Sequence, residues 1–183
     1  MAIVKGVNSN GNETQIKATL DGELKVRAIQ ESEIEHSSST GGAFAFPSAN
    51  TDIDAGDTRL FIKNTGDKYL ILSYALFNPA NVVCKYDIGL GSETTTPTGT
   101  VVTAINMNQS FSSTVESYLA YDDETAVADA SIMMSATTNT TESLRVELTG
   151  VILGKNQYVQ INQETESTSG QVTVFGHFEP ELA

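Results

Sequence analysis

Apolar and polar residues alternate in short runs along most of the chain, a pattern typical of β-strands. The stretch from Arg59 to Phe77, RLFIKNTGDKYLILSYALF, contains two runs rich in Leu, Ile, Phe and Tyr. Residues 64–67 between them are turn formers, so the stretch predicts two core strands joined as a hairpin. Leu60 and Ile62 are expected to share one face of the first strand, because side chains alternate along a strand.

The second strand of this stretch is apolar on both faces, which is typical of a central strand in a sheet. Simple alternation predicts two apolar sets, with Leu70, Leu72 and Tyr74 on one face and Ile71, Ala75 and Phe77 on the other. We therefore expect the remaining strands to be arranged around this one.

Further β-prone runs follow along the chain, separated by turn residues. They lie at 43–46, 59–63, 68–77, 82–90, 100–107, 115–121, 130–134, 143–153, 157–161 and 171–178. Their regular spacing predicts an all-β fold, a jelly-roll-like antiparallel β-sandwich. The one helix candidate is 122–129, DDETAVAD, which could begin with an acidic N-cap, and an acidic loop is the alternative.

A β-hairpin is predicted ahead of the sandwich. The segments TQIKATL and ELKVRAI both alternate, and Asp21-Gly22 between them is a strong turn signal. A three-residue loop pairs Leu20 with Leu24 and unites the apolar faces, whereas a two-residue loop does not. The apolar stripe of this assembly arm consists of Ile16, Ala18, Leu20, Leu24, Val26 and Ala28. Because an isolated hairpin is marginally stable in water, the stripe is expected to pack on the protein's own body, another subunit or a larger assembly.

The segment IQESEIEHSSSTGG separates the predicted hairpin from the predicted sandwich. It is acidic, then rich in serine, and it ends on paired glycines, which is a linker composition. We therefore expect an N-terminal arm with a β-hairpin at 1–36, a linker at 37–42 and a β-sandwich body at 43–183. The first 13 residues of the arm are mostly polar and predict a flexible or partner-ordered tail.

The charge of the chain argues against binding to nucleic acid. Ten Lys and Arg residues stand against 23 Asp and Glu residues, giving a formal charge of −13, and nucleic-acid binding depends mainly on basic side chains. The apolar stretch at the N-terminus is too short for a signal peptide and no run approaches a membrane span, so we expect cytosolic synthesis and no membrane partner. The single cysteine, Cys84, lies in an apolar run and is expected to be buried.

Three aspartates in TDIDAGDTR, Asp52, Asp54 and Asp57, are weak candidates for a metal site. Carboxylate oxygens suit hard cations such as Ca²⁺. The spacing does not fit an EF-hand, because Lys63 occupies the position that would need a bidentate Glu. A turn is the favoured interpretation, since Asp and Gly are common turn residues. Residues 122–124 form a second acidic cluster with the same two interpretations.

Candidate catalytic residues are few. The chain has two histidines, His36 in the predicted linker and His177 in the last predicted strand. A Ser-His-Asp or Cys-His site needs a base that is oriented by a third group, and one cysteine with two distant histidines does not match the usual spacing of zinc ligands. Gly89 and Gly91 are not followed by the residues of a phosphate-binding loop. The sequence therefore predicts a protein that is not an enzyme and has no cofactor.

Four segments carry a resemblance to a known family. They are GNETQIKATLDGELKVRAIQESE, FIKNTGDKYLILS, AINMNQSFSS and VTVFGHFEPE, and together they span almost the entire chain. In this order they resemble small virion structural proteins of tailed bacteriophages, of the head-decoration or cement type. None of the four is a catalytic signature.

The resemblance implies a β-sandwich that assembles with copies of itself, often as trimers, on the surface of a virion. It implies the major capsid protein of the phage head as a partner, and the host cytoplasm as the place of assembly. Asn106, Asn108 and Ser110 fall at an Asn-rich turn that we interpret as structural, while the loop after Ile88 is shorter than in similar chains. The alternatives are a tail or baseplate component, a receptor- or glycan-binding module and, ranked last, a polysaccharide hydrolase.

Overall fold

The computed structural model describes residues 4–7, 13–16, 42–49, 53–92, 99–108, 110, 117–122 and 130–179. The chain divides into two compact units, Met1–Glu31 and Ser32–Ala183. In the first unit, strand β1 (Val4–Val7) pairs antiparallel with strand β2 (Glu13–Ile16). Strand β1 therefore lies within residues 1–13, for which the sequence predicts a flexible or partner-ordered tail. The predicted turn at Asp21-Gly22 lies outside the described residues.

The second unit is built from β-strands, and its described residues contain no helix. The strands are β3 (Ala43–Pro47), β4 (Thr58–Asn64), β5 (Tyr69–Asn78), β6 (Lys85–Ser92), β7 (Thr100–Val101), β8 (Ile105–Asn106), β9 (Tyr118–Asp122), β10 (Ser131–Thr137), β11 (Leu144–Leu153), β12 (Gln157–Gln163) and β13 (Gln171–Glu179). They form a six-stranded sheet in the order β10-β6-β12-β4-β9-β7 and a five-stranded sheet in the order β11-β5-β13-β3-β8.

Eight of these strands pair in a nested order. Strand β3 pairs with β13, β4 with β12, β5 with β11 and β6 with β10, always antiparallel. The first strand of the eight thus pairs with the last and the second with the seventh, which is the connectivity of a jelly roll. Strands β7, β8 and β9 lie between β6 and β10 in the chain and extend the two sheets. The predicted all-β, jelly-roll-like sandwich is confirmed.

The predicted hairpin between the two strands of Arg59 to Phe77 is wrong. Strand β4 belongs to the six-stranded sheet and β5 to the five-stranded sheet, so the chain crosses between the sheets at 65–68. The side chain of Asn64 holds this crossing in place through three hydrogen bonds. Its amide nitrogen donates to the carbonyl oxygens of Lys68 at 2.6 Å and Leu153 at 2.8 Å. Its Oδ1 accepts from the backbone N–H of Gly66 at 3.0 Å. The turn residues were recognised correctly, but they connect sheets and not paired strands.

Strand β5 is central, as predicted, but its two faces differ from the predicted ones. The pairing of β5 with β13 passes from Tyr74 opposite Phe175 directly to Leu72 opposite Gly176, so Ser73 is an extra residue relative to β13. On the other side, β11 has three residues, 148–150, against Ser73, so the pairing is irregular there as well. Such a bulge shifts the alternation of side chains by one position. As a result the inward side chains are Leu70, Leu72, Ala75 and Phe77, whereas Ile71, Tyr74 and Leu76 point away from the core.

The core lies between the two sheets. Leu60 and Ile62 from one sheet and Leu72 from the other are at most 1% exposed, and the rings of Phe77 and Tyr86 lie 4.8 Å apart across the sandwich. Burying side chains of this size contributes about 1.5–3 kcal/mol each. Cys84 is buried as predicted.

Candidate functional site

The aspartates that were predicted as weak metal candidates lie in a turn. The backbone N–H of Asp57 donates to the carbonyl oxygen of Asp54 at 3.3 Å. Gly56 between them has a φ of 95°, a value that suits glycine at the third position of a type II turn. Asp52 lies outside the described residues. Among the residues that the structure describes, no three His, Cys, Asp or Glu side chains come together as a metal-binding group.

The second acidic cluster is described only at its first member. Asp122 is the last residue of β9, is fully buried, and accepts a hydrogen bond from the backbone N–H of Ala49. It therefore belongs to a strand and not to a helix N-terminus. The remainder of the helix candidate at 122–129 lies outside the described residues.

His177 lies in β13, as expected, and its side chain is 1% exposed. Its Nε2 lies 3.2 Å from Oε1 of Glu179 on the same strand. The second histidine, His36, lies outside the described residues. The structure thus places one of the two candidate catalytic bases in a buried position within a sheet.

The Asn-rich segment forms successive side-chain turns. The N–H of Asn108 donates to Oδ1 of Asn106 at 2.8 Å, and the N–H of Ser110 donates to Oδ1 of Asn108 at 3.0 Å. Asn and Asp side chains commonly hold turns in this way, which agrees with the structural interpretation of this segment. Of the assembly-arm residues, Ile16 lies in β2, and Ala18, Leu20, Leu24, Val26 and Ala28 lie outside the described residues.

Apolar side chains occupy part of the outer side of the five-stranded sheet, opposite the core, where His177 and Ala43 are buried. We call this part of the surface the apolar face, and its residues are Ile71, Tyr74, Leu76, Ile105, Ile152 and Phe175. Ile152 is 52% exposed and Ile105 is 51% exposed, and the other four are half-buried. Contiguous exposed apolar surface on a soluble protein is a mark of a binding site.

One row of the apolar face runs across four strands. Tyr74 lies opposite Phe175, Phe175 opposite Ala45 and Ala45 opposite Ile105. Directly opposite residues in antiparallel strands point to the same side of a sheet. Strands β3 and β5 contain no Asp, Glu, Lys or Arg, and β13 contains only Glu179, its last residue. The middle of the face is therefore uncharged in a strongly acidic chain.

A stack of side chains borders the apolar face on the side of β11. The guanidinium carbon of Arg145 lies 3.9 Å from the centroid of the Tyr74 ring, and that ring stacks on Phe175 at 4.5 Å with 21° between the planes. Because β5 lies between β11 and β13, the Tyr74 ring is enclosed on both sides. Arg145 also pairs with Glu147 at 2.7 Å. An exposed cation–π contact such as that between Arg145 and Tyr74, and an exposed ion pair such as that between Arg145 and Glu147, each stabilise a protein by about 0–1 kcal/mol.

Sequence reasoning missed the apolar face, since simple alternation put Tyr74 on the same side as Leu72. Two glycines signal the irregularity: Gly150 lies in β11 and Gly176 in β13, on either side of the bulge at Ser73. Glycine inside a strand often marks a bulge or a close approach of backbones. If the two glycines are interpreted as marking a bulge, alternation along β5 places Tyr74 on the outer side together with Ile71.

No protein-family model, curated protein or solved structure matches the chain. Within the described ranges, no helix is long and apolar enough to cross a membrane.

Proposed function

We propose that the protein is a non-enzymatic structural component of a tailed-bacteriophage virion. It is a decoration or cement protein that covers the head in many copies and stabilises the shell. The apolar face carries this proposal, because an apolar sheet surface suits a protein contact. The jelly-roll body adds support, since this fold recurs in viral capsid proteins, although lectin domains and cupins use it as well.

In this proposal the apolar face contacts the major capsid protein or a neighbouring copy of the chain, and the copies form homo-oligomers such as trimers. The arm at 1–36 lies across the shell or a neighbouring subunit and contacts it through backbone hydrogen bonds and its apolar stripe. Each contact is weak by itself. Many copies then stabilise the shell together, because linked contacts act at high effective concentration.

The copy number of the chain in purified virions tests the proposal. Quantitative mass spectrometry against the major capsid protein is expected to give hundreds of copies, in a simple ratio to the shell subunit. A value near a dozen would match the closed cyclic symmetry of a tail or baseplate and would favour that alternative. Absence of the chain from virions would refute both.

The role of the apolar face is tested by adding a charge to it. Ile105→Asp and Ile152→Asp each place a carboxylate on an exposed position of the face. An unpaired charge in an apolar contact costs several kcal/mol, so binding to heads that lack the protein should fall more than about tenfold, which corresponds to about 1.4 kcal/mol. Val83→Asp is the control, because Val83 is 56% exposed but lies outside both sheets.

The arm is tested separately by deleting residues 1–36. The body is expected to keep its β-sheet circular dichroism signal and its cooperative unfolding while binding to heads is lost. Full-strength binding by the truncated protein would contradict a role of the arm and would leave the apolar face as the sole contact.

Glycan binding is the main alternative of another class, and one observation weighs against it at the apolar face. Sugars commonly stack on the open face of an aromatic ring. The Tyr74 ring has Arg145 on one side and Phe175 on the other, so neither of its faces is open to a sugar. A glycan-array signal that is lost in Tyr74→Ala would nevertheless favour this alternative.

A further inference from the structure

Polar side chains gather inside the body at the end that carries the loops 79–84, 138–143 and 164–170. We call them the buried polar cluster, and its members, each at most 2% exposed, are Arg59, Cys84, Tyr86, Thr138, Gln163 and Ser167. They come from strands β4, β6 and β12 and from the loops next to β6, β10 and β12. Buried polar groups normally have hydrogen-bond partners, so each exception calls for a physical explanation.

Two side-chain oxygens of the buried polar cluster have no hydrogen-bond partner within the described part of the chain. They are the hydroxyl oxygen of Tyr86 and Oε1 of Gln163, and both residues are fully buried. The amide of Gln163 is oriented by its Nε2, which donates to the carbonyl oxygen of Thr165 at 2.8 Å and to Oγ of Ser167 at 3.1 Å. Its Oε1 is therefore directed elsewhere. A buried polar group that stays without a partner destabilises the folded state.

The two oxygens lie in the same part of the core. Tyr86 and Gln163 are directly opposite each other on β6 and β12, and such residues point to the same side of a sheet with their Cβ atoms about 5 Å apart. The backbone N–H of Glu164 donates to the carbonyl oxygen of Lys85 at 2.8 Å. The loop to which Gln163 bonds therefore starts beside the first residues of β6.

The hydroxyl of Tyr86 reaches toward the same end of the core. Burial raises the pKa of this hydroxyl, Cys84 adds to the shift, and Arg59 and Thr138 act against it. These three side chains therefore surround the hydroxyl, although none of them makes a hydrogen bond with it. Thr138 is fixed next to Cys84, because its backbone N–H donates to the carbonyl oxygen of Cys84 at 2.9 Å.

We infer that an internal water molecule binds between Tyr86 and Gln163. The water accepts a hydrogen bond from the Tyr86 hydroxyl and donates one to Oε1 of Gln163, so both oxygens gain a partner. It donates its second O–H to Oγ1 of Thr138, which itself donates to the carbonyl oxygen of Cys84 at 3.4 Å. Three hydrogen bonds to buried polar groups are typical of internal water in proteins. The inference does not depend on the proposed function.

The chemistry of the buried polar cluster selects a neutral molecule that both donates and accepts. The guanidinium of Arg59 is close enough to act on the Tyr86 hydroxyl, so it repels a cation at this position. Oε1 of Gln163 can only accept hydrogen bonds, so it disfavours an anion. Water is the smallest molecule that fits both conditions. Bound there, it links β6, β12 and the loop that follows β10.

A crystal structure of the full-length chain that shows ordered water tests the inference without substitutions. One water peak is expected about 2.6–3.2 Å from both the hydroxyl oxygen of Tyr86 and Oε1 of Gln163. The absence of this peak would overturn the inference. A peak bonded to only one of the two atoms, or a direct hydrogen bond between them, would overturn it as well.

A double-mutant cycle tests the same link in solution. Tyr86→Phe removes the hydroxyl and Gln163→Met removes the amide. A shared water is expected to couple their effects on the unfolding equilibrium constant by at least about fivefold.

Tyr86→Phe with Gln160→Met is the matched control cycle. Gln160 lies on the same strand and is also buried, and its Oε1 has no partner among the described residues. It lies opposite Gly89 on the side of the sheet that faces away from the core, so its coupling to Tyr86 should stay within about twofold. Equal coupling in the two cycles would overturn the inference.

Discussion

Gly176 and Ile71 are so close that a methyl group on the glycine would lie 2.6 Å from the carbonyl oxygen of Ile71. Gly176 is on the core side of β13, opposite Leu72, at the point where β5 bulges outward by one residue. The bulge moves Tyr74 to the outer side of the sheet, where it stacks on Phe175. The glycine and the apolar face are therefore parts of one structural feature.

Gly176→Ala is expected to destabilise the body. The obstacle is a backbone oxygen, which cannot rotate away as the end of a side chain can, and overpacking of this kind costs about 1–3 kcal/mol. Urea unfolding followed by circular dichroism measures the change. Gly154→Ala is the control, because its new methyl group would lie 3.2 Å from the side-chain oxygen of Gln157, which can move. Equal losses of stability in the two variants would contradict this account.

Asn64→Ala is expected to lower the free energy of unfolding by at least about 2 kcal/mol. The substitution removes three hydrogen bonds at a buried crossing between the sheets, and each buried group that loses its partner costs about 1–3 kcal/mol. Chemical denaturation provides the measurement.

Asn139→Ala is the matched control for Asn64→Ala. The side chain of Asn139 also holds backbone N–H groups, those of Thr141 at 2.9 Å and Glu142 at 2.6 Å, but in an exposed turn. Water can replace these bonds, so the cost should stay within about 0.5 kcal/mol. If Asn139→Ala lost as much stability as Asn64→Ala, burial of the Asn64 side chain would not explain the loss.

Tyr86 is expected to make the protein less stable at alkaline pH. Burial raises the pKa of its hydroxyl above the ordinary value of 10.0, and Cys84 nearby adds to the shift. A raised pKa in the folded state means that the stabilisation is fully present below about pH 10 and is lost as the pH rises toward the folded-state pKa. Tyr86→Phe should therefore lose less stability than the native chain between about pH 8 and about pH 11. If the free energy of unfolding had the same pH dependence in both proteins, groups other than Tyr86 would cause the loss of stability at alkaline pH.

The contact between Arg145 and Tyr74 is expected to contribute about 0.5–1 kcal/mol to stability. A double-mutant cycle with Arg145→Ala and Tyr74→Leu isolates this interaction from the lost packing of each side chain. The same cycle with Glu147→Ala in place of Tyr74→Leu should give a smaller coupling, because both members of that ion pair are more than half exposed. A larger coupling energy between Arg145 and Glu147 than between Arg145 and Tyr74 would contradict this prediction.

Much of the strand pattern was visible in the sequence. The runs predicted at 143–153, 157–161 and 171–178 correspond to β11, β12 and β13 with small changes at their ends. The run predicted at 100–107 instead divides into the two short strands β7 and β8. Alternation depends on neighbouring residues, so it can be read locally. Where turns interrupt a run, the local pattern does not say which pieces form strands.

By itself the sequence determined the all-β class, the sandwich architecture, the buried position of Cys84 and the acidic character of the chain. Only the tertiary structure decided that β4 and β5 lie in different sheets and that Tyr74 belongs to the apolar face and not to the core. The physical reason is that these features depend on pairing between distant residues. Strand β3 pairs with β13 at the other end of the body, and a bulge of one residue reverses which side chains face the core.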